Sequence, residues 1–288
     1  MRILTWNIQW GRGADGRVDL DRTIAAVRDM GVPEVLCLQE VAQHFPGLKG
    51  GEGGDQVARL AAAFPEHQVC FGPAVEVAGR AGRRARFGNL LLSRLPVLQA
   101  SRHLLPYPAD ASVPSMQRGC IEAVIDTAAG PLRVMTTHLE YYSDRQRAAQ
   151  VQALRELQQR AVDWQQARAA VPAGAAEDNP TFAPALLPTQ AVICGDFNFR
   201  PDGEDYLAMC VPLVSPHAAW ADAWRIAHPG LPHSPTVGVC GAEWPEQPYC
   251  CDFFWVSAEL AGRVRNVEVN ADTPASDHQP VMLELADA

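Results

Sequence analysis

A mixed α and β fold is predicted by two features of the sequence. Short apolar runs of strand length alternate with longer stretches of helical period, and turn residues punctuate the joints. Residues 2–6 read as a first strand. Residues 19–30 read as a helix, with Asp19 or Asp21 near its start and Gly31 past its end. Residues 34–39 read as a buried strand, and the glycine-rich stretch from Gly47 to Gly54 as a loop. A short helix is expected from Asp55 to Phe64. Strands then follow near 67–71, 87–93, 119–126 and 131–137, the last two joined by a turn at Ala128-Ala129-Gly130-Pro131. The longest helix runs from Ser143 to about Ala170. Along it Val151, Leu154, Leu157, Ala161 and Trp164 step by three or four residues and form one apolar stripe. Strands return at 190–194, 251–257, 263–269 and 280–285.

Composition bounds the class of protein. The chain has 288 residues, of which 48% are hydrophobic and 20% charged, the balance of a globular protein with an ordinary core. Disorder, collagen and coiled coil are excluded as descriptions of the whole chain. No apolar run approaches the ~18 residues that a spanning helix needs. The apolar stretch at the N-terminus is too short for a signal peptide, so a cytoplasmic location is expected. One domain over 1–288 is expected, with a Pro/Ala-rich surface excursion at about 171–189, and a monomer is the default. Several of the eight cysteines lie in apolar runs, as Cys37 and Cys194 do, and no C-x-x-C pair occurs. The net charge of −9 argues against tight, nonspecific duplex binding. It leaves a phosphate substrate open, because a bound cation or a local patch reverses the field.

Chemistry enters where polar residues close the predicted strands. The first strand ends in Asn7, and Leu36-Cys37-Leu38-Gln39 ends in Glu40. Val134 to Thr137 ends in His138, and Val192 to Gly195 ends in Asp196, with Asn198 two residues on. Asp252 precedes an apolar run, and Ser276-Asp277-His278 precedes the last strand. Strand ends are where a rigid scaffold brings distant residues together. Carboxylates and amide oxygens are hard ligands that suit Mg²⁺ or Mn²⁺ better than zinc. Such a set can bind a cation, orient a water and stabilise an anionic phosphoryl group, which makes a metal-assisted phosphate-ester hydrolase the expected class. Each residue has a plainer reading in isolation. Asn7 and Asp277 suit turn caps, Glu40 a solvated strand end, Asp196 with Asn198 an Asx turn, Asp252 a structural ion pair, and His138 a core histidine.

Taken together, the segments Thr5-Trp6-Asn7, Leu38-Gln39-Glu40, Asn89 through Ser93, Thr137-His138-Leu139, Gly195-Asp196-Phe197-Asn198 and Ser276-Asp277-His278-Gln279-Pro280 resemble the endonuclease/exonuclease/phosphatase superfamily. They stand in the family's order and span nearly the whole chain. The resemblance implies a four-layer α/β/β/α sandwich of two mixed β-sheets with outer helices. It also implies a divalent-cation-dependent phosphoesterase with its site at one end of the sandwich. It makes Glu40 the principal metal ligand, with Asn7 and Asp277 near the same cation, Mg²⁺ with Mn²⁺ as a substitute. It gives Asp196 the attacking water, Asn198 the placing of that water or of a phosphate oxygen, and His278 a bond to the phosphoryl oxygen. Asp252 would hold the His278 imidazole, and His138 would contact phosphate and steady the leaving oxygen. Asp252 lies in Cys250-Cys251-Asp252-Phe253, whereas the family more often has Arg or Lys two residues before this Asp and Tyr after it. Arg118 fits a substrate-binding arginine in some relatives, and equally a surface one.

The leading expectation is a Mg²⁺-dependent phosphodiesterase acting on short or single-stranded nucleic acid. A phosphomonoesterase of a small phosphorylated metabolite is the main alternative, ahead of a phospholipid diesterase or an inert binding module. Arg80, Arg83, Arg84 and Arg86 form the densest basic run and suit either a phosphate chain or, slightly better, a solvated loop. Arg145 and Arg147 suit loop packing or surface pairing. Trp10, Tyr141, Tyr142, Phe199 and Trp244 flank the matched segments, where some could stack on a base and most would pack as loop anchors.

Overall fold

The computed structural model describes residues 1–170, 180–182, 185–212, 214, 218–241 and 243–287. The surface excursion expected at about 171–189 falls largely outside them.

Among the described residues, twelve strands form two six-stranded sheets. The first contains β1 (Arg2–Asn7), β2 (Val35–Gln43), β3 (Gln68–Ala78), β4 (Arg84–Ser93), β11 (Val264–Val269) and β12 (Val281–Leu285), in the order β11-β12-β1-β2-β4-β3. The second contains β5 (Val97–Leu104), β6 (Gly119–Thr127), β7 (Gly130–His138), β8 (Ala191–Asp196), β9 (Trp220–Asp222) and β10 (Asp252–Ser257), in the order β5-β6-β7-β8-β10-β9. Both sheets are mixed. Each has one central parallel pair, β1 with β2 and β7 with β8, among antiparallel neighbours.

The sheets face each other, and side-chain alternation assigns every central strand two apolar faces. Ile3, Val35, Cys37, Val134, Val192 and Phe254 meet between the sheets. The intervening residues turn outward to the helices. Leu4, Trp6, Leu36 and Leu38 pack under α1 (Leu20–Asp29) and α2 (Gln56–Ala63), through Leu20, Ile24, Val27 and Leu60. Met135, Ile193, Phe253 and Trp255 pack under α3 (Asp144–Ala169) and α4 (Glu204–Cys210), through Val151, Leu154 and Tyr206. A side chain as deeply buried as Leu154 contributes roughly 1.5–3 kcal/mol. The four-layer α/β/β/α sandwich follows from these three apolar layers.

The helices begin where their caps place them. The Asp19 side chain accepts from Asp21 N at 2.9 Å, Asp55 from Ala58 N at 2.9 Å, and Ser143 from Gln146 N at 3.2 Å. The α3 stripe is buried from Val151 to Val162, but Trp164 is 40% exposed, so the apolar face ends a turn earlier than its spacing suggests. Strands β2 and β3 run further than expected, to Gln43 and Ala78. Among the described residues, two strands and two α-helices lie outside the expected elements: β5, β9, α4 and α5 (Ala223–Ala227). All eight cysteines are free; Cys210 is exposed, Cys240 half-buried and the other six buried. Among the described residues, no helix is long and apolar enough to cross a membrane.

Candidate active site

The layer between the sheets turns polar at one end, and strand parity says which side chains arrive there. Asn7 extends the inward set of Ile3 and Thr5, His138 that of Val134 and Thr136, Asp196 that of Val192 and Cys194, and Asp252 that of Val256 and Phe254. Register then brings the ends level: His138 pairs with Asp196, Asp196 with Asp252, and Asn7 with Gln39. Just beneath, the buried Gln39 amide donates to Thr5 Oγ1 at 3.1 Å and to Thr136 Oγ1 at 2.9 Å, tying the sheets together.

Glu40 reaches the same place by a different device. The β2–β4 register shifts between Leu38 and Val41, and Glu40 sits at φ 59° inside this bulge. Gln9, Trp10 and Asn198 also hold positive φ values of 44°, 45° and 52° without being glycine. Four of the seven described non-glycine residues at positive φ thus line one cavity, as is common at functional sites, while His44, Ala81 and Asp202 lie outside it. That cavity has a volume of about 680 Å³ and exposes Asn7, Glu40, His138, Asp196, Asp277 and His278 in its lining.

Two carboxylates, the buried Asp196 and the partly exposed Glu40, share one amide. Asn7 Nδ2 donates to Glu40 Oε1 at 3.1 Å and to Asp196 Oδ2 at 3.0 Å. Asn7 Oδ1 accepts from the backbone N–H of Gln9 at 3.0 Å. Asn7 therefore presents nitrogen to the carboxylates, the reverse of the ligand oxygen that the sequence suggested. Burial and the nearby Asp277 carboxylate push Glu40 up to about 7, against the pull of the Asn7 amide. Burial likewise pushes Asp196 up to about 6, although His278 draws it down. Asp277 is half-buried and accepts from Gln9 Nε2 at 2.7 Å and Ser276 Oγ at 3.2 Å.

The two imidazoles are driven in opposite directions by their surroundings. His278 Nδ1 lies 2.9 Å from Asp252 Oδ2, and its Nε2 lies 3.7 Å from Asp196 Oδ2. Burial works against its charge, but Asp252 and Asp196 outweigh burial and hold its pKa well above the usual value. His138 Nε2 lies 3.4 Å from Asp196 Oδ2. Burial, with Arg118 and His278 close by, holds His138 well below the usual value. The surroundings favour the charged form of one ring and the neutral form of the other. Environments that push paired groups apart in this way separate acid from base roles.

Asn198 N–H bonds Asp196 Oδ1 at 3.0 Å, the Asx turn that its spacing allowed, and its side chain bonds Leu139 O at 3.0 Å. Arg118 is buried and lines the cavity, with its Nε 3.1 Å from the fully buried Glu140. The basic run at 80–86 does not line this cavity. Arg84 and Arg86 both pair with Glu76, at 2.8 and 2.7 Å, while Arg80 and Arg83 border a separate hollow of about 260 Å³. Arg147 pairs with Asp205 at 2.7 Å, and Arg145 bonds Ala109 O at 3.1 Å. Trp10, Tyr141, Tyr142 and Trp244 line the cavity, whereas Phe199 is buried in the packing under α4.

Three participants escaped the sequence reading. Gln9 anchors Asp277 from a short 3-10 turn. Thr236 donates to Asp252 Oδ2 at 2.6 Å and accepts from Asp252 N–H at 3.1 Å. Glu140 holds Arg118 and accepts from the N–H groups of Tyr141 and Tyr142 at 2.9 and 3.0 Å. Only Glu140 carried a local signal, as a carboxylate two residues past His138.

Two donor sets come close enough to be compared for a cation. Asp196, Cys251 and His278 place ligand atoms within 4.8 Å of one another. Burial pushes the Cys251 thiol well above its usual value, and Asp252 and Asp196 favour the protonated form of His278, so this set is the poorer one for a cation. Glu40 and Asp277 both line the cavity, near enough for the Asp277 charge to raise Glu40, and among the described residues neither has a Lys or Arg salt bridge. This hard-oxygen pair fits a divalent cation such as Mg²⁺.

A family model described as the endonuclease/exonuclease/phosphatase family matches residues 4–278. Solved structures agree on the fold. An endonuclease/exonuclease/phosphatase from Beutenbergia cavernae superposes with a TM-score of 0.70 at 23% identity, covering 100% of this chain and 72% of that one. A mannosyl-6-phosphatase from Bacteroides thetaiotaomicron gives 0.65 at 15% identity, covering 100% of both chains. The human Nocturnin catalytic domain with bound sulfate gives 0.62 at 17% identity, covering 99% of this chain and 94% of that one. A comparison with curated protein sequences finds no match. The chain belongs to the endonuclease/exonuclease/phosphatase family, whose members are phosphoesterase hydrolases.

Proposed function

We propose that this chain is a divalent-cation-dependent phosphodiesterase acting on short or single-stranded nucleic acid. The observation that carries the reading is the meeting of Asn7, Glu40, His138, Asp196, Asp252, Asp277 and His278 at one end of the inter-sheet layer. Glu40 and Asp277 would hold Mg²⁺ or Mn²⁺, with the Asn7 amide beside them donating to Glu40. The cation supplies positive charge against the phosphoryl oxygens and the water.

Asp196, raised to about 6 and fixed by Asn7 and Asn198, orients the attacking water and takes its proton. Asn198 places that water or a phosphoryl oxygen. The His278 imidazolium donates to a phosphoryl oxygen as negative charge grows, with Asp252 fixing the ring and sustaining its charge. His138, level with Asp196 on the neighbouring strand, and Arg118 face the phosphate, and His138 steadies the leaving oxygen. A diester is favoured over a monoester because the cavity continues past Asn198 into a second cleft, which leaves room for a group on each side of the phosphorus.

Cleavage assays with Mg²⁺ on single-stranded DNA, RNA and abasic duplex test the reading. Chelator-sensitive cleavage that is lost in Asp196→Ala supports it. No cleavage of any of these, with free phosphate released from phosphorylated metabolites instead, replaces it with a phosphomonoesterase.

A further inference from the structure

The second cleft, about 1070 Å³ in volume, shares Tyr141, Tyr142, Asn198 and Trp244 with the catalytic cavity. It is built of rings more than of cations. Tyr142 is 57% exposed, Trp244 44% and Tyr141 36%, an unusual concentration of uncovered aromatic surface. Tyr141 meets Tyr142 at 4.7 Å between centroids and 81°, and meets Trp244 at 5.2 Å and 84°. Trp244 meets Tyr249 at 6.0 Å and 88°. Every contact is edge to face, so these rings are not stacked flat on one another. The Arg200 guanidinium lies over the Tyr249 ring at 3.9 Å and adds a second planar surface.

The charge around this cleft is the reverse of what a phosphate needs. Its lining carries four carboxylates, Asp144, Glu204, Asp205 and Glu246, against two guanidiniums, Arg147 and Arg200. Arg147 is already paired with Asp144 and Asp205. An uncharged flat ring gains stacking energy here, and an exocyclic amino group on it can donate to the carboxylate rim. A further phosphate would meet net negative charge. The placement of the rings is tied to the chemistry, because Glu140 fixes the backbone of Tyr141 and Tyr142 only two residues after it leaves His138.

The geometry points to a subsite in which Trp244, Tyr141 and Tyr142 hold the terminal, unpaired base of a nucleic-acid strand beside the scissile phosphate. This rests on the phosphodiesterase reading and narrows it to removal of nucleotides from a strand end.

Two measurements on the full chain test it. The first compares kcat/KM for a single-stranded tetranucleotide with that for the same strand lacking its terminal base, in wild type, Trp244→Ala and Tyr142→Ala. Loss of one base stack is expected to change the ratio by roughly 5- to 150-fold. The wild-type preference should collapse toward parity in Trp244→Ala and shrink in Tyr142→Ala. A ratio unchanged in both variants, cleavage confined to internal bonds, or faster cleavage after a phosphate is added to the terminal nucleotide overturns the assignment. The second titrates adenosine in the presence of chelator and follows tryptophan emission. Saturable quenching that disappears in Trp244→Phe supports the base site even if wild type cuts no oligonucleotide, an outcome that would remove the nuclease reading alone. Absence of quenching in wild type overturns the site itself.

Discussion

His278 Nδ1 lies 2.9 Å from Asp252 Oδ2, and the same oxygen accepts the Thr236 hydroxyl at 2.6 Å. The carboxylate is therefore fixed before it fixes the ring. Asp252→Asn keeps the shape but removes the charge that sustains the imidazolium. Activity should fall by roughly 10²- to 10⁴-fold, with far-UV circular dichroism unchanged. A loss smaller than about fivefold would show that His278 acts without that support.

Arg118 and Glu140 form a buried pair at 3.1 Å. Arg118→Ala leaves the Glu140 charge with no guanidinium in a dry site, at a cost of about 3–5 kcal/mol. The double variant Arg118→Ala/Glu140→Gln should recover part of that stability in urea unfolding while staying as inactive as the single variant. Activity that returns along with stability would make Arg118 structural only.

A second buried cluster lies away from the cavity. Glu122 bonds the fully buried Arg133 at 3.0 Å and His103 at 2.8 Å. Burial works against the Glu122 charge, but His103 and Arg133 outweigh it and hold its pKa below the ordinary 4.5. A depressed carboxylate pKa gives stability that is present above the ordinary value and lost as pH falls through the folded one. The melting temperature should therefore drop as pH is lowered below about 4.5. Glu122→Gln should melt roughly 10 °C lower at pH 7 and lose less on acidification. Parallel curves for the two proteins would assign the acid lability to other groups.

Gly195 precedes Asp196 with φ 142°, and a Cβ there would run into the Thr137 carbonyl of the paired strand. Gly195→Ala forces β7 and β8 apart at the rung that aligns His138 with Asp196. Unfolding free energy should fall by more than about 4 kcal/mol, or soluble protein should be lost. A variant within about 1 kcal/mol of wild type would contradict this placement.

How much of the molecule could be read from its residues depends on burial. Strands apolar on both faces, such as β1, β2, β7 and β8, declared themselves as uninterrupted runs. Strand β5 did not, because it is an edge strand whose Gln99, Ser101, Arg102 and His103 break any apolar run. Helices α4 and α5 span seven and five residues, too short to show a period, and β9 has three. Within the site, residues on strand ends were visible because an apolar run points at them. Gln9 starts a short 3-10 turn and Thr236 sits in a loop, and both act through folding geometry alone, so no local pattern marks them. The direction of the Asn7 amide is likewise a matter of neighbours, the Gln9 N–H on one side and two carboxylates on the other.

The central claim is that Glu40, raised to about 7 beside Asp277, belongs to a divalent-cation site on which cleavage depends. Isothermal titration of Mn²⁺ into wild type and Glu40→Gln, run beside an oligonucleotide cleavage assay with and without chelator, tests it most directly. The account predicts saturable binding that weakens at least about tenfold in Glu40→Gln, together with cleavage abolished by chelator and by the substitution. Equal cation binding by both proteins, or cleavage that survives chelator, would contradict it.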